Sequence, residues 1–304
     1  MKTWLRGVIL LLALVFALVF ASAWIASPLP GSRKATDSEL LPSTQLPAAE
    51  RWTLAWSDEF DGANASRPDH SKWKFEVGGN GWGNHELEYY TDRPENSRVD
   101  QGKLIIEARR EDYTGEDGVT RQYTSARLIT RGAFSQAYGR FTARIKLPRG
   151  QGVWPAFWLL GDDFEKVSWP ACGEIDIMEN IGKEPASIHG SMHGPGYSGE
   201  LDFTSTYKLP GGPKFSDDFH VFTVEWEPNV VRFYTDEYLY ATFVPAQLPA
   251  GKKWVFDHPF YIILNLAVGG DWPGAPDSTT EFPQQMWVDY VRVYKEAPQT
   301  GRPR

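Results

Sequence analysis

The run GRFTARIKL (139–147) puts Phe141, Ala143, Ile145 and Leu147 on one side of an extended chain and Arg140, Thr142, Arg144 and Lys146 on the other. A period of two residues belongs to a β-strand with one face in a core and one in water; an α-helix cannot segregate it. Comparable alternating or apolar runs recur at LIIEARR (104–110), VFTVEWE (221–227), VRFYTD (231–236), FYIILNLAV (260–268) and WVDYVRVYK (287–295). Gly, Pro, Asn and Asp punctuate them, with no helical period and no internal repeat. Many short strands in this rhythm specify an all-β sandwich or barrel, here one domain over 51–297.

The chain ahead of that domain reads differently. Lys2 and Arg6 precede the apolar run VILLLALVFALVF (8–20), and Ala21-Ser22-Ala23 fits a small-x-small cleavage site. Residues 1–27 are therefore expected to be a signal peptide or, since 8–25 carries no charge, an uncleaved membrane anchor. No cysteine follows the run, which excludes a lipoprotein anchor. Residues 28–50, rich in Pro, Ser and Thr, read as a flexible linker, and 298–304 as a loose tail. The expected location is secreted or periplasmic, or tethered to the outer side of the cytoplasmic membrane.

A formal charge of -8 argues against a nucleic-acid partner. The single cysteine, Cys172, allows no internal disulfide. Aromatics make up 14% of the chain. That loading suits either a large β core or a surface that covers the apolar faces of sugars.

GEIDIMEN (173–180) carries the chemistry. Glu174 and Asp176 alternate with Ile175 and Ile177, so one face of this strand is acidic and the other apolar. Half-burying carboxylates is costly unless they are paired or functional. Glu179 breaks the alternation, being three residues beyond Asp176. Either it faces water at a strand end, or a β-bulge at Ile177-Met178 returns it to the acidic face. Three acids on one face would supply carboxylates with pKa values pushed apart, as hydrolysis of a glycosidic bond requires.

E-I-D-I-M-E resembles the catalytic signature of glycoside hydrolase family 16 in its bulged form. The likeness extends through WSDEFDG (56–62), GWGNHELEYYTDRPENSRVDQGKLIIEA (81–108), YTSARLITRG (123–132), YGRFTARIKLPRGQGVWPAFWLLG (138–161), SMHGPGYSG (191–199), FTVEWEP (222–228), NLAVGGDWPG (265–274) and VDYVRVYK (288–295). Nearly all of 51–295 is similar, in order, to bacterial laminarinase-type members. The resemblance implies a β-jelly-roll of two curved antiparallel sheets, a substrate groove along the concave one, and internal hydrolysis of β-glycosidic bonds with retention.

It further implies Glu174 as nucleophile, Glu179 as general acid and then base, and Asp176 as a modulator between them. His193 would orient an acid or contact sugar; a metal role shared with His189 is disfavoured, because i, i+4 spacing on a strand is no ligand pattern. Trp154 and Trp158 match groove aromatics, Asn84 and Arg127 match groups that bond sugar hydroxyls, and Trp272 is expected at the groove rim. Trp226 and Trp287 are assigned to packing. Relatives often carry Glu-Ala-Arg where this chain has Thr142-Ala143-Arg144, so position 142 receives no substrate role.

No cofactor is implied for catalysis, but a structural calcium is, through Glu59, the Gly102 carbonyl and Asp289. The expected partner is a β-glucan polysaccharide, with membrane contact only if the N-terminal segment is uncleaved, and the chain is expected to be a monomer. The leading function is an endo-β-1,3-glucanase on laminarin-like glucans. The alternatives are the same mechanism on mixed-linkage β-glucan, agarose or carrageenan, and a non-catalytic glucan-binding protein.

Overall fold

The computed structural model describes residues 51–199 and 203–298. The expected leader or anchor (1–27), the linker (28–50) and the tail beyond Pro298 lie outside the described residues. The strands are β1 (Trp52–Asp58), β2 (Lys74–Phe75), β3 (Glu88–Tyr90), β4 (Ser97–Asp100), β5 (Lys103–Thr114), β6 (Thr120–Ser125), β7 (Arg127–Ile129), β8 (Gly139–Lys146) and β9 (Val153–Gly161). After a short helix, α1 (Phe164–Val167), come β10 (Glu174–Glu179), β11 (Ser187–His193), β12 (Phe203–Lys208), β13 (His220–Glu227), β14 (Val230–Thr235), β15 (Tyr238–Phe243), β16 (Phe260–Val268) and β17 (Gln284–Glu296).

They form two sheets. One runs β15-β14-β13-β8-β17-β5-β6-β3, with β1 paired to β17 and β4 to β5; the other runs β12-β11-β10-β9-β16-β7-β2. The pairing is antiparallel except between β3 and β6, which run parallel. The order interleaves distant strands, as a jelly roll requires.

Alternation decides which side chains fill the space between the sheets. From β8 come Phe141, Ala143 and Ile145; from β9, Val153, Phe157 and Leu159; from β16, Ile262, Leu264, Leu266 and Val268. The intervening residues of β9, among them Trp154, Ala156, Trp158 and Leu160, face a cleft. β16 is buried at every position, because a second apolar cluster with Tyr261, Ile263, Leu160 and Cys172 covers its other face.

Trp226 is fully buried, as expected, and donates its indole N–H to the Phe256 carbonyl. Trp287 departs from expectation. It stands outside the core, donates to Gln285 and lines a surface depression, because its position on β17 faces away from the second sheet. Thr142 lies on β8, in the sheet remote from the cleft, where its hydroxyl accepts a hydrogen bond from Thr223.

Candidate active site

The acidic run forms β10, and its register shows how three acids share a face. Against β9, Trp158 opposes Asp176 and Phe157 opposes Met178; against β11, Ser191 opposes Asp176 and His189 opposes Glu179. Between Asp176 and Glu179 the strand carries one residue more than either neighbour. Ile177 and Met178 both turn into the core and are fully buried. That double inward step is the bulge, and it returns Glu179 to the face of Glu174 and Asp176. All three acids line a cleft of about 520 Å³.

Glu174 and Glu179 each accept an indole N–H, and Asp176 lies against an imidazole. Trp169 Nε1 donates to Glu174 Oε2 at 2.9 Å. His193 Nε2 lies 2.9 Å from Asp176 Oδ2 and 3.7 Å from Glu174 Oε1. Trp154 Nε1 donates to Glu179 Oε1 at 3.1 Å. Asp176 is only 2% exposed. Burial, and then the charges of Glu174 and Glu179, hold its carboxyl well above the usual carboxylate range; His193 offsets this only in part. Burial alone would pull the His193 imidazole down. Its hydrogen bond to Asp176 and the surrounding acids outweigh that, and its pKa is pushed up to about 10.

Donor atoms of Glu174, Asp176 and His193 lie within 4.8 Å of one another, the one such cluster among the described residues. With the proton that its acid neighbours favour, the imidazole is their counter-charge, and the three groups form an acid–imidazolium network. His189 opposes Glu179 across the ladder and shares a 2.9 Å hydrogen bond with Thr206.

Of the expected sugar-contacting residues, Asn84, Arg127, Trp154 and Trp158 line the same cleft, and His193 and Trp272 do not. Arg127 is largely covered. Its guanidinium sits 4.9 Å from the Trp82 ring and 4.8 Å from the Trp158 ring, and its Nε donates to Glu76 at 2.5 Å. One face of Trp158 is thereby committed to a cation–π contact, and its Nε1 donates to Asn265 Oδ1 at 2.7 Å. Asn84 lines the cleft and donates to Glu86. Trp272 packs edge-on against Trp154 (5.6 Å) and His189 (4.8 Å), behind the cleft-lining residues rather than among them. Sequence reading did not single out Glu76, Trp82, Glu86, Trp169 or Asn265, although the motifs quoted above contain Trp82, Glu86 and Asn265.

The positions implied for calcium meet on the outer face of the ten-stranded sheet. Glu59 is held by both Arg292 nitrogens, at 3.0 and 2.7 Å; Asp289 takes Arg144 at 2.8 Å and lies 3.6 Å from Lys103. The Glu59 carboxylate is therefore committed and does not fit as a ligand. The backbone fits better: Glu59 follows the end of β1, Gly102 lies in the β4–β5 turn, and Asp289 falls at the register break between β17 and β8. Backbone carbonyls together with an Asp289 oxygen are the hard donors that calcium takes.

Residues 82–292 match the profile of glycosyl hydrolases family 16. The β-glucanase of Rhodothermus marinus is 47% identical over 264 residues, covering 84% of this chain and 90% of that protein. The laminarinase catalytic domain of Thermotoga maritima MSB8 is 51% identical, with a TM-score of 0.77 over 82% of this chain and 100% of its own. The endo-β-1,3-glucanase of Pyrococcus furiosus is 50% identical, with a TM-score of 0.78 over 82% of this chain and 97% of its own. With the bulged acidic strand, its cleft and these likenesses together, the chain belongs to glycosyl hydrolases family 16.

Proposed function

We propose that this chain is a retaining endo-β-1,3-glucanase acting on laminarin-like glucans, with Glu174 as nucleophile and Glu179 as acid and base. The observation that carries the reading is the bulge, which brings Glu179 onto the cleft face with Glu174. The laminarinase likeness of the whole domain supports the choice of substrate.

In the first step a Glu174 oxygen attacks the anomeric carbon as the bond to the leaving oxygen breaks, and Glu179 gives that oxygen its proton. A glycosyl ester on Glu174 results. Glu179, now a carboxylate, takes a proton from water; the water oxygen bonds to the anomeric carbon and the ester bond breaks, freeing Glu174. Two inversions restore the β configuration. Trp169 fixes the rotation of the Glu174 carboxylate, and Trp154 that of Glu179. The His193 imidazolium places a positive charge among three acids, Asp176 included, which lowers the cost of holding them together. No cofactor enters these steps. A calcium ion at the Glu59, Gly102 and Asp289 backbone would act on stability alone.

Reducing ends released from laminarin, lichenan and agarose test the reading. The fastest release is expected on laminarin, as a mixture of oligosaccharides. Preferential cleavage of agarose, or of no glucan, would refute it.

A further inference from the structure

Two acids beside the cleft floor take no part in this chemistry. Glu86 is 3% exposed. Its Oε1 accepts a hydrogen bond from Asn84 Nδ2 at 3.2 Å and its Oε2 one from the Tyr90 hydroxyl at 2.9 Å. The Tyr90 oxygen in turn accepts from Asn265 Nδ2 at 3.1 Å, and Asn265 Oδ1 accepts from Trp158 Nε1 at 2.7 Å. Followed from Trp158, every proton in this chain points the same way.

The direction is forced from both ends. An indole nitrogen only donates, so Asn265 must turn its oxygen to Trp158 and its NH2 to Tyr90. Tyr90 then accepts from Asn265 and has its own proton left for Glu86. Asn84 reaches Glu86 from the other branch, also as a donor. A carboxylate accepts at both oxygens and so closes both branches. A glutamine of the same shape would accept at one and present an NH2 to a donor at the other.

Glu88 stands behind. It is fully buried, its Oε2 accepts the Val268 N–H at 2.6 Å, and its Oε1 has no hydrogen-bond partner. Burial first, and then the charge on Glu86, hold the Glu88 carboxyl well above the usual range.

We propose that Glu86 is a positioning residue: as an acceptor at both oxygens it sets the direction of the hydrogen bonds along the cleft floor. It thereby fixes which amide atom Asn84 turns toward sugar hydroxyls, while Trp158 fixes Asn265 from the other end. The inference rests on the glucanase reading and adds to it a residue that touches neither reacting atom. Reversing one amide swaps a donor for an acceptor, which weakens sugar binding without altering the acids of β10.

The test is Glu86→Gln, beside Tyr90→Phe and the double variant, in steady-state kinetics on a laminari-oligosaccharide together with melting temperatures. In Glu86→Gln the KM is expected to rise roughly tenfold, the scale of one misdirected buried hydrogen bond, with kcat kept within about threefold. Tyr90→Phe should raise KM less, and the double variant should be no worse than Glu86→Gln. Unchanged KM in both single variants, or loss of kcat at constant KM, overturns the proposal, as does a lowered melting temperature with wild-type kinetics. Should Glu86→Gln be recovered only as aggregate, Tyr90→Phe decides by the same readings. A wild-type enzyme that does not cleave the oligosaccharide would instead sink the glucanase reading, and this inference with it.

Discussion

Trp154 donates its indole N–H to Glu179 from the strand beside it, at 3.1 Å. Ala156 opposes Glu179 in the ladder, and Trp154 reaches it from two residues away along β9. The same side chain lines the cleft, so it both presents a ring and holds the proposed acid.

Trp154→Phe separates these roles, since it keeps a ring and removes the donor. A hydrogen bond to a carboxylate is worth about 1.5–3 kcal/mol, so kcat/KM on a laminari-oligosaccharide should fall roughly 10- to 100-fold. Trp154→Ala removes the ring as well and should also weaken oligosaccharide binding, by roughly 1–3 kcal/mol, read by calorimetry. Unchanged kcat/KM in the Phe variant would show that the N–H contact has no part in the reaction.

Deletion of Met178 tests the bulge. The strand would then read E-I-D-I-E, and the acids could still share a face. Glu179 would shift by one strand step, roughly 3.3 Å, toward the position that Met178 holds opposite Phe157. Everything beyond would move with it, and the core would lose a fully buried side chain. Activity is expected to be abolished; near-wild-type turnover would mean that the bulge is dispensable.

The alternating runs made the two-sheet fold legible, because each records which side chains face the opposite sheet. The acidic strand was legible only in part. The spacing of Asp176 and Glu179 fits a strand end as well as a bulge, and what decides is that Ile177 and Met178 both fit into the core. The cover of Arg127 comes from Glu76 and Trp82, on a segment remote in sequence, and leaves no local trace. The commitment of Glu59 to Arg292, 233 residues away, leaves no local trace. Trp169 sits on a loop, where no periodicity assigns it a face.

His193 gives the cluster a dependence on pH. Its folded pKa of about 10 exceeds the ordinary imidazole value of about 6.5. Its contribution to stability is therefore complete below about pH 6.5 and is lost as pH rises through the folded pKa near 10. The raised carboxyl of Asp176 acts in the same sense, since ionising it in place is costly. His193→Asn should lower the melting temperature most at and below about pH 6.5 and flatten its fall between about pH 6.5 and 10. Parallel curves for variant and wild type would contradict this account of the cluster.

Removal of divalent ions tests the outer-face site. A ligand bound only by the folded chain raises stability by mass action. A chelator should lower the melting temperature, calcium should restore it, and turnover on the cold, folded enzyme should stay the same. An identical melting curve after verified removal of metal would count against calcium at the Glu59, Gly102 and Asp289 backbone.

The stereochemistry of rescue by azide tests the central assignment most directly. A β-glucosyl substrate with a good leaving group needs little acid help. In Glu179→Ala the ester on Glu174 still forms, and azide attacks it without a base. Two inversions give a β-glycosyl azide. In Glu174→Ala azide enters the vacated space and inverts once, giving the α product. Proton NMR of the anomeric centre distinguishes the two. The assignment predicts β from Glu179→Ala and α from Glu174→Ala; the reverse pair would exchange the two roles, and α from both would contradict a covalent mechanism in this chain.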